Sequence, residues 1–341
     1  MSQNASAGRN LADEITASGP AADIAGAAAL FEIGESLGVI EVMTSSDVFT
    51  TADLAKAADL PEDAASRYLE ALDAAGLIVR NGHSAEKFRK SDDFMVTLHR
   101  AGYISWTQNA NRPFIQHARE FLIDPESARA KYHRDGRAVA VSSEWMGSRA
   151  FYPAAYEAIL TAKPKRMVDL GAGTCRLLVN LLQTFPESTA VGLDIDHAAC
   201  EAAKLAAEAA GVADRLTVFE RPIQSVADDA TPVQGADLVH AGFVFHDMMP
   251  EEEEIADRVL ANCREAMPEG GLMAITEAIP YARSERERRF SAIVTYYHQQ
   301  FMGRKLLNEA AWTEKLLAAG FRKVEVVELG FPTGRLFLAA K

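Results

Sequence analysis

Three groups of residues in this 341-residue chain have types and spacings that can do chemistry. The first is Val168-Asp169-Leu170-Gly171-Ala172-Gly173-Thr174, an apolar run that ends in two glycines, followed one strand later by Asp194. Glycines at a strand end let backbone N–H groups approach a ligand where a side chain would obstruct them. An aspartate closing the next strand, Ala190 to Leu193, can accept two hydrogen bonds from the hydroxyls of a ribose. Asp169, Gly171, Ala172, Gly173, Asp194 and the adjoining Ile195 are therefore a candidate nucleoside-cofactor site. A dinucleotide fingerprint would need a further glycine where Arg176 stands, and no P-loop occurs.

The second group is His246-Asp247, at the end of the apolar stretch Asp237 to Phe245, where ligands of open α/β sheets bind. An imidazole that titrates near neutrality can take a proton from a phenol. His298 is the third. It falls one turn after Val294 in a segment, Arg288 to Phe301, that reads as a helix with Phe290, Ile293, Val294, Tyr297 and Phe301 inward. His246 and His298 can offer two imidazoles to one cation, with Asp247 or water completing the shell. An α-keto acid would fill the open positions through its ketone and carboxylate oxygens. A metal drawing electrons from the ketone makes the adjacent C–H acidic. Arg134, in the turn-like stretch Lys131 to Gly136, can grip a carboxylate through two parallel hydrogen bonds. The plainer alternatives are hydrogen-bonded core histidines and an Arg134 paired with Asp135.

These residues need elements to hold them. Strand and helix signals alternate from about residue 161 to the end, giving an α/β, Rossmann-like core. Residues 21–92 read as a winged helix. A small-residue helix runs from Ala22 to Val42, a helix capped by Thr51 follows, a second begins at Pro61, and Leu77-Ile78-Val79 starts a strand that turns at Asn81-Gly82 and returns through Phe88. Residues 1–20 look like a flexible terminus. Residues 93–160 are a helical connector rich in aromatics, Trp106 among them, that covers the site.

Composition narrows the function. Net charge is -13, and the helix from Pro61 to Glu70 carries three carboxylates and one arginine, so neither nucleic acid nor an anionic membrane is an expected partner. No apolar run is long enough to span a bilayer and no signal peptide is evident, which places the chain in the cytoplasm. Three scattered cysteines exclude a disulfide framework or thiolate metal site.

The Asp-Leu-Gly-Ala-Gly-Thr segment with Asp194 resembles motif I of class I S-adenosylmethionine-dependent methyltransferases. The resemblance implies Asp169 near the methionine part of the donor and Asp194 at its ribose. Many members place an aspartate after the strand Leu216 to Phe219 to receive the adenine amino group. Here Glu220-Arg221-Pro222-Ile223 follows, which leaves that contact to backbone groups. The winged helix ahead of such a core is similar to the dimerisation domain of small-molecule O-methyltransferases, implying a homodimer. Val244 to Pro250 matches the plant-type His-Asp-Trp position, implying His246 as general base, with Met248 in place of the tryptophan.

A narrower likeness is carried by Lys131-Tyr132-His133-Arg134-Asp135, Phe245-His246-Asp247 and Tyr297-His298-Gln299-Gln300-Phe301-Met302-Gly303. Together they look like the metal-dependent α-keto acid C-methyltransferases. That likeness implies iron or zinc on His246 and His298, Asp247 acting at the metal, and Arg134, Trp106 and Tyr132 around the keto acid. The expected function is thus β-carbon methylation of a small α-keto acid. The alternative is O-methylation with His246 as base, and a third reading is a binding module without catalysis.

Overall fold

The computed structural model describes residues 11–82 and 86–341, residues 11–18 by their backbone. Residues 1–10, half of the expected flexible terminus, lie outside the described residues, as do residues 83–85 of the wing. The chain forms two compact units. One comprises residues up to Gln116 together with Arg134–Ser148; the other comprises His117–His133 and Arg149–Lys341.

In the first unit, helices Leu11–Ser36, Ile40–Ser45, Thr51–Ala58 and Glu62–Ala74 are joined by a small sheet of strands β1 (Phe49–Thr50), β2 (Ile78–Arg80) and β3 (Lys87–Lys90). Its order is β1-β3-β2. The helix expected from Ala22 begins earlier, at Leu11, and runs through Gly19 and Pro20, the two residues that mark a boundary in the sequence. It stops at Ser36 rather than Val42, since Gly38 takes a left-handed φ of +71 and the chain restarts at Ile40. Thr50, not Thr51, caps the third helix. Its hydroxyl accepts from Asp53 N at 3.1 Å while the Asp53 carboxylate accepts from Thr50 N at 2.8 Å. Phe31, Phe49, Leu54, Leu69, Leu72, Ile78 and Phe94 fill the core of this unit. On the helix Glu62–Ala74 the charged side chains Glu62, Asp63, Arg67 and Glu70 are exposed.

The second unit is built on seven strands: β4 (Arg166–Leu170), β5 (Thr189–Asp194), β6 (Leu216–Glu220), β7 (Leu238–Gly242), β8 (Leu272–Ala278), β9 (Lys323–Glu328) and β10 (Gly334–Ala340). They lie in the order β6-β5-β4-β7-β8-β10-β9. All neighbours are parallel except β10, which runs antiparallel to β8 and β9. Strand order reverses between β4 and β7, and the carboxyl ends of strands at such a point are the usual ligand position in sheets of this kind. Val168, Leu170, Val239, Ala241, Met273 and Ile275 are fully or almost fully buried, as expected for central strands covered on both faces. This is an α/β, Rossmann-like architecture with a helical N-terminal region. Among the described residues, no helix is long and apolar enough to cross a membrane.

Candidate active site

At the end of β4 the chain turns through Gly171 and Gly173, with φ of +73 and +53, values that favour glycine. The N–H groups of this turn do not face outward as expected. Gly171 N and Ala172 N both donate to Leu193 O at 2.8 Å, and Gly173 N donates to Asp194 Oδ2 at 2.7 Å. A turn whose donors are consumed by β5 is a poor anion cradle, and it offers a close approach instead. A Cβ at Gly173 would meet nothing within 4 Å. Asp194 Oδ1 also accepts from Asp196 N at 2.9 Å. Each carboxylate oxygen has a second acceptor site, so ribose hydroxyls can still be received there. Ile195, 73% exposed, stands beside it as an apolar surface for a flat ring. A bare, donor-poor turn next to a fixed aspartate fits a nucleoside without phosphates, as S-adenosylmethionine is. After β6, Arg221 pairs with Asp229 at 2.9 Å, so its charge is already committed.

At the end of β7 the chain enters a short turn, Phe245–Met248, that presents His246. Its anchor is Glu277, fully buried on β8. One oxygen of Glu277 accepts from Phe245 N at 3.0 Å and His246 N at 3.2 Å; the other lies 2.7 Å from His246 Nδ1. Nδ1 is thereby the protonated nitrogen of the neutral ring, and Nε2 becomes the acceptor. Burial on its own would lower the His246 pKa, but Glu277, with a smaller push from Asp247, outweighs it and holds the ring above the ordinary imidazole value. Sequence reasoning passed over Glu277. Its signal was a lone acid at the end of an otherwise apolar strand.

His298 reaches the same place from a later helix. The helix Arg288–Tyr296 loosens into a π turn, Tyr297–Met302, a feature common at functional sites. His298 is buried, and its Nδ1 sits 2.7 Å from Val294 O. The His246 and His298 rings stand edge to face with centroids 4.9 Å apart. Arg304 also enters this corner. Its backbone N donates to His298 O at 2.7 Å, its guanidinium donates to Asp247 O, and its Nε lies 3.5 Å from Asp247 Oδ1. Asp247 Oδ1 is 3.6 Å from His246 Nε2 and is half exposed. Behind the π turn, Phe121 packs edge-on against Phe301 at 5.2 Å, and Gln300 Nε2 donates to Phe121 O at 3.3 Å.

The fit to a metal is partial. The two imidazoles meet, but among the described residues no group of three or more His, Cys, Asp and Glu side chains is arranged to hold an ion. The expected substrate residues are divided between the units. Arg134, half-buried, and Trp106, buried in a second π turn at Ser105–Ala110, belong to the first. Tyr132 belongs to the second, where it stacks on His117 at 3.7 Å with the planes 5° apart. Asp135 accepts from Ala138 N at 3.0 Å and so caps the helix Gly136–Ala150. Burial pushes the thiols of Cys175 and Cys263 up to about 12, which disfavours their thiolates.

Comparison with known proteins bears on this geometry. Residues 168–273, from β4 into β8, match the family described as a methyltransferase domain. The demethylspheroidene O-methyltransferase of Cereibacter sphaeroides is 29% identical over 177 residues, covering 52% of this chain and 43% of that protein. The phenazine O-methyltransferase PhzM of Lysobacter antibioticus is 33% identical over 118 residues, 34% of this chain and 31% of that protein. The chain thus spans less than half the length of the curated relatives it matches. Human N-acetylserotonin methyltransferase, solved in complex with S-adenosylmethionine, superposes with a TM-score of 0.59 at 14% identity, covering 98% of this chain and 99% of that one.

Proposed function

We propose that this chain, whose residues 168–273 form a methyltransferase domain of the class I, O-methyltransferase-like kind, methylates a hydroxyl oxygen of a small molecule, with His246 as general base. The observation that carries the reading is the buried Glu277–His246 pair at the carboxyl end of β7, 2.7 Å apart. S-adenosylmethionine, when bound, supplies a sulfonium methyl as electrophile. Asp194 and the Gly171 to Gly173 turn hold its nucleoside, with Ile195 against the adenine. Glu277 fixes the His246 tautomer, directs Nε2 outward and stabilises the imidazolium formed when Nε2 takes the acceptor's proton. Removing that proton as the oxygen attacks avoids a positively charged oxonium product.

A second reading, β-carbon methylation of an α-keto acid with iron or zinc at His246 and His298, is favoured by one observation. The two rings are 4.9 Å apart and each Nδ1 is engaged by a neighbouring acceptor, an arrangement that also orients metal-bound histidines. Among the described residues no third protein ligand is assembled beside the two rings. In this reading Asp247 stands at the ion, and Arg134, Trp106 and Tyr132 contact the keto acid. Both readings make the chain a homodimer paired through its first unit, which light scattering of the purified protein tests.

The deciding experiment is a screen of phenols and α-keto acids with S-adenosylmethionine, locating the new methyl by mass spectrometry and NMR. Methyl on oxygen, with turnover indifferent to chelator, is the expected result. Methyl on carbon, loss of deuterium from the β-carbon and loss of turnover on metal removal would hand the assignment to the second reading.

A further inference from the structure

Asp169 on β4 stands level with His240 on β7 across the parallel ladder, and Asp169 Oδ1 lies 2.7 Å from His240 Nδ1. Both are buried, at 4% and 7% exposure. Level residues of neighbouring strands face the same side of a sheet. On the other flank Asp169 is level with Gly192, above which lie Ala172 and Cys175 of the glycine turn. The Asp169 carboxylate is therefore tucked beneath the turn that borders the nucleoside site. His240 Cε1 lies 3.3 Å from where a Gly242 Cβ would stand, so its ring leans toward the carboxyl end of β7. Among the described residues, no protein donor reaches Asp169 Oδ2.

A buried carboxylate with one oxygen held and the other open is matched by a cationic donor. Building on the methyl-donor reading, we propose that His240 is a positioning residue. It pins Asp169 Oδ1 so that Oδ2 receives the ammonium of the donor's methionyl part. The χ2 torsion of an aspartate is broad, so without His240 the carboxylate would turn away from that direction for much of the time. His240 touches neither the donor nor the acceptor.

Two probes separate this role from general support of the fold. S-adenosylhomocysteine carries the amino-acid part, and 5′-methylthioadenosine lacks it. Both are titrated by calorimetry into the wild-type protein and into H240L, H240N and D169N, each checked by thermal unfolding. H240L and D169N should weaken S-adenosylhomocysteine about 10-fold or more, the scale of one charge-assisted hydrogen bond, and leave 5′-methylthioadenosine within about 2-fold. H240N, whose amide N–H can replace Nδ1–H, should restore most of the loss. Equal weakening of both probes, or of neither, overturns the inference. So does a wild-type protein that binds the two equally well. A wild-type protein that binds neither removes the methyl-donor reading and the inference with it. Should H240L not fold, H240A, which likewise lacks a ring donor, takes its place in the same comparison.

Discussion

Two histidine–carboxylate pairs lie on or beside the central strands of the second unit, each closed at 2.7 Å, yet their surroundings leave different partners open. In Glu277–His246 the carboxylate accepts from two backbone N–H groups and one ring nitrogen, and the imidazole is the member with a nitrogen, Nε2, turned away from the pair. In Asp169–His240, among the described residues, the imidazole on β7 meets one oxygen of the carboxylate and no protein donor reaches the other. What a pair can do is set by which partner has spent its hydrogen-bonding capacity on the protein. The pair geometry alone does not decide it.

Breaking the first pair should have the largest effect. H246Q removes the proton acceptor and should lower kcat by about 100-fold or more while leaving S-adenosylhomocysteine affinity unchanged, as single-turnover rates and calorimetry would show. Equal loss of rate and affinity would make His246 a support of the fold and not the proton acceptor.

E277Q sharpens the contrast at smaller cost, with kcat falling about 10-fold. Glu277 raises the His246 pKa, so the wild-type kcat/KM should climb with pH around a midpoint above the usual imidazole value. Removing the charge should move that midpoint down. An unmoved pH profile would sever the link between the two residues. The same shift has a stability side. The contribution of the pair is complete below the unfolded-state pKa and is lost as pH rises through the raised folded value. Denaturant unfolding should therefore show a decline above about pH 6.5 that H246Q flattens.

The smallest effect is a control in the other unit. T50A breaks the capping box of Thr51–Ala58 and should cost about 1 kcal/mol in denaturant unfolding. Donor affinity should not change, since neither pair is touched.

Local signals were legible in the sequence itself. The apolar run ending at Gly171 and Gly173, Asp194 after the next strand, and the helix-strand-wing sequence of the first unit each depend on neighbours within a few tens of residues. The partners of the histidines were not legible. Glu277 is 31 residues from His246 and Asp169 is 71 from His240, and they meet only because β7 is inserted between β4 and β8. Strand order is decided by how crossover helices pack, which periodicity does not encode. Arg304 was missed because the recognisable stretch ends at Gly303, where φ of +69 turns the chain back toward Asp247. The outward N–H groups expected at the glycine turn failed for a related reason: the turn lies against β5, and Leu193 O takes two of them.

The backbone crosses between the two units three times, after Gln116, after His133 and after Ser148. The short excursion His117–His133 supplies Phe121, the residue that backs the π turn bearing His298. Neither unit is a continuous cassette. A fragment cut at Arg149 would lose the wall behind that turn, and a chimera exchanging the sheet of this chain would have to bring residues 117–133 along.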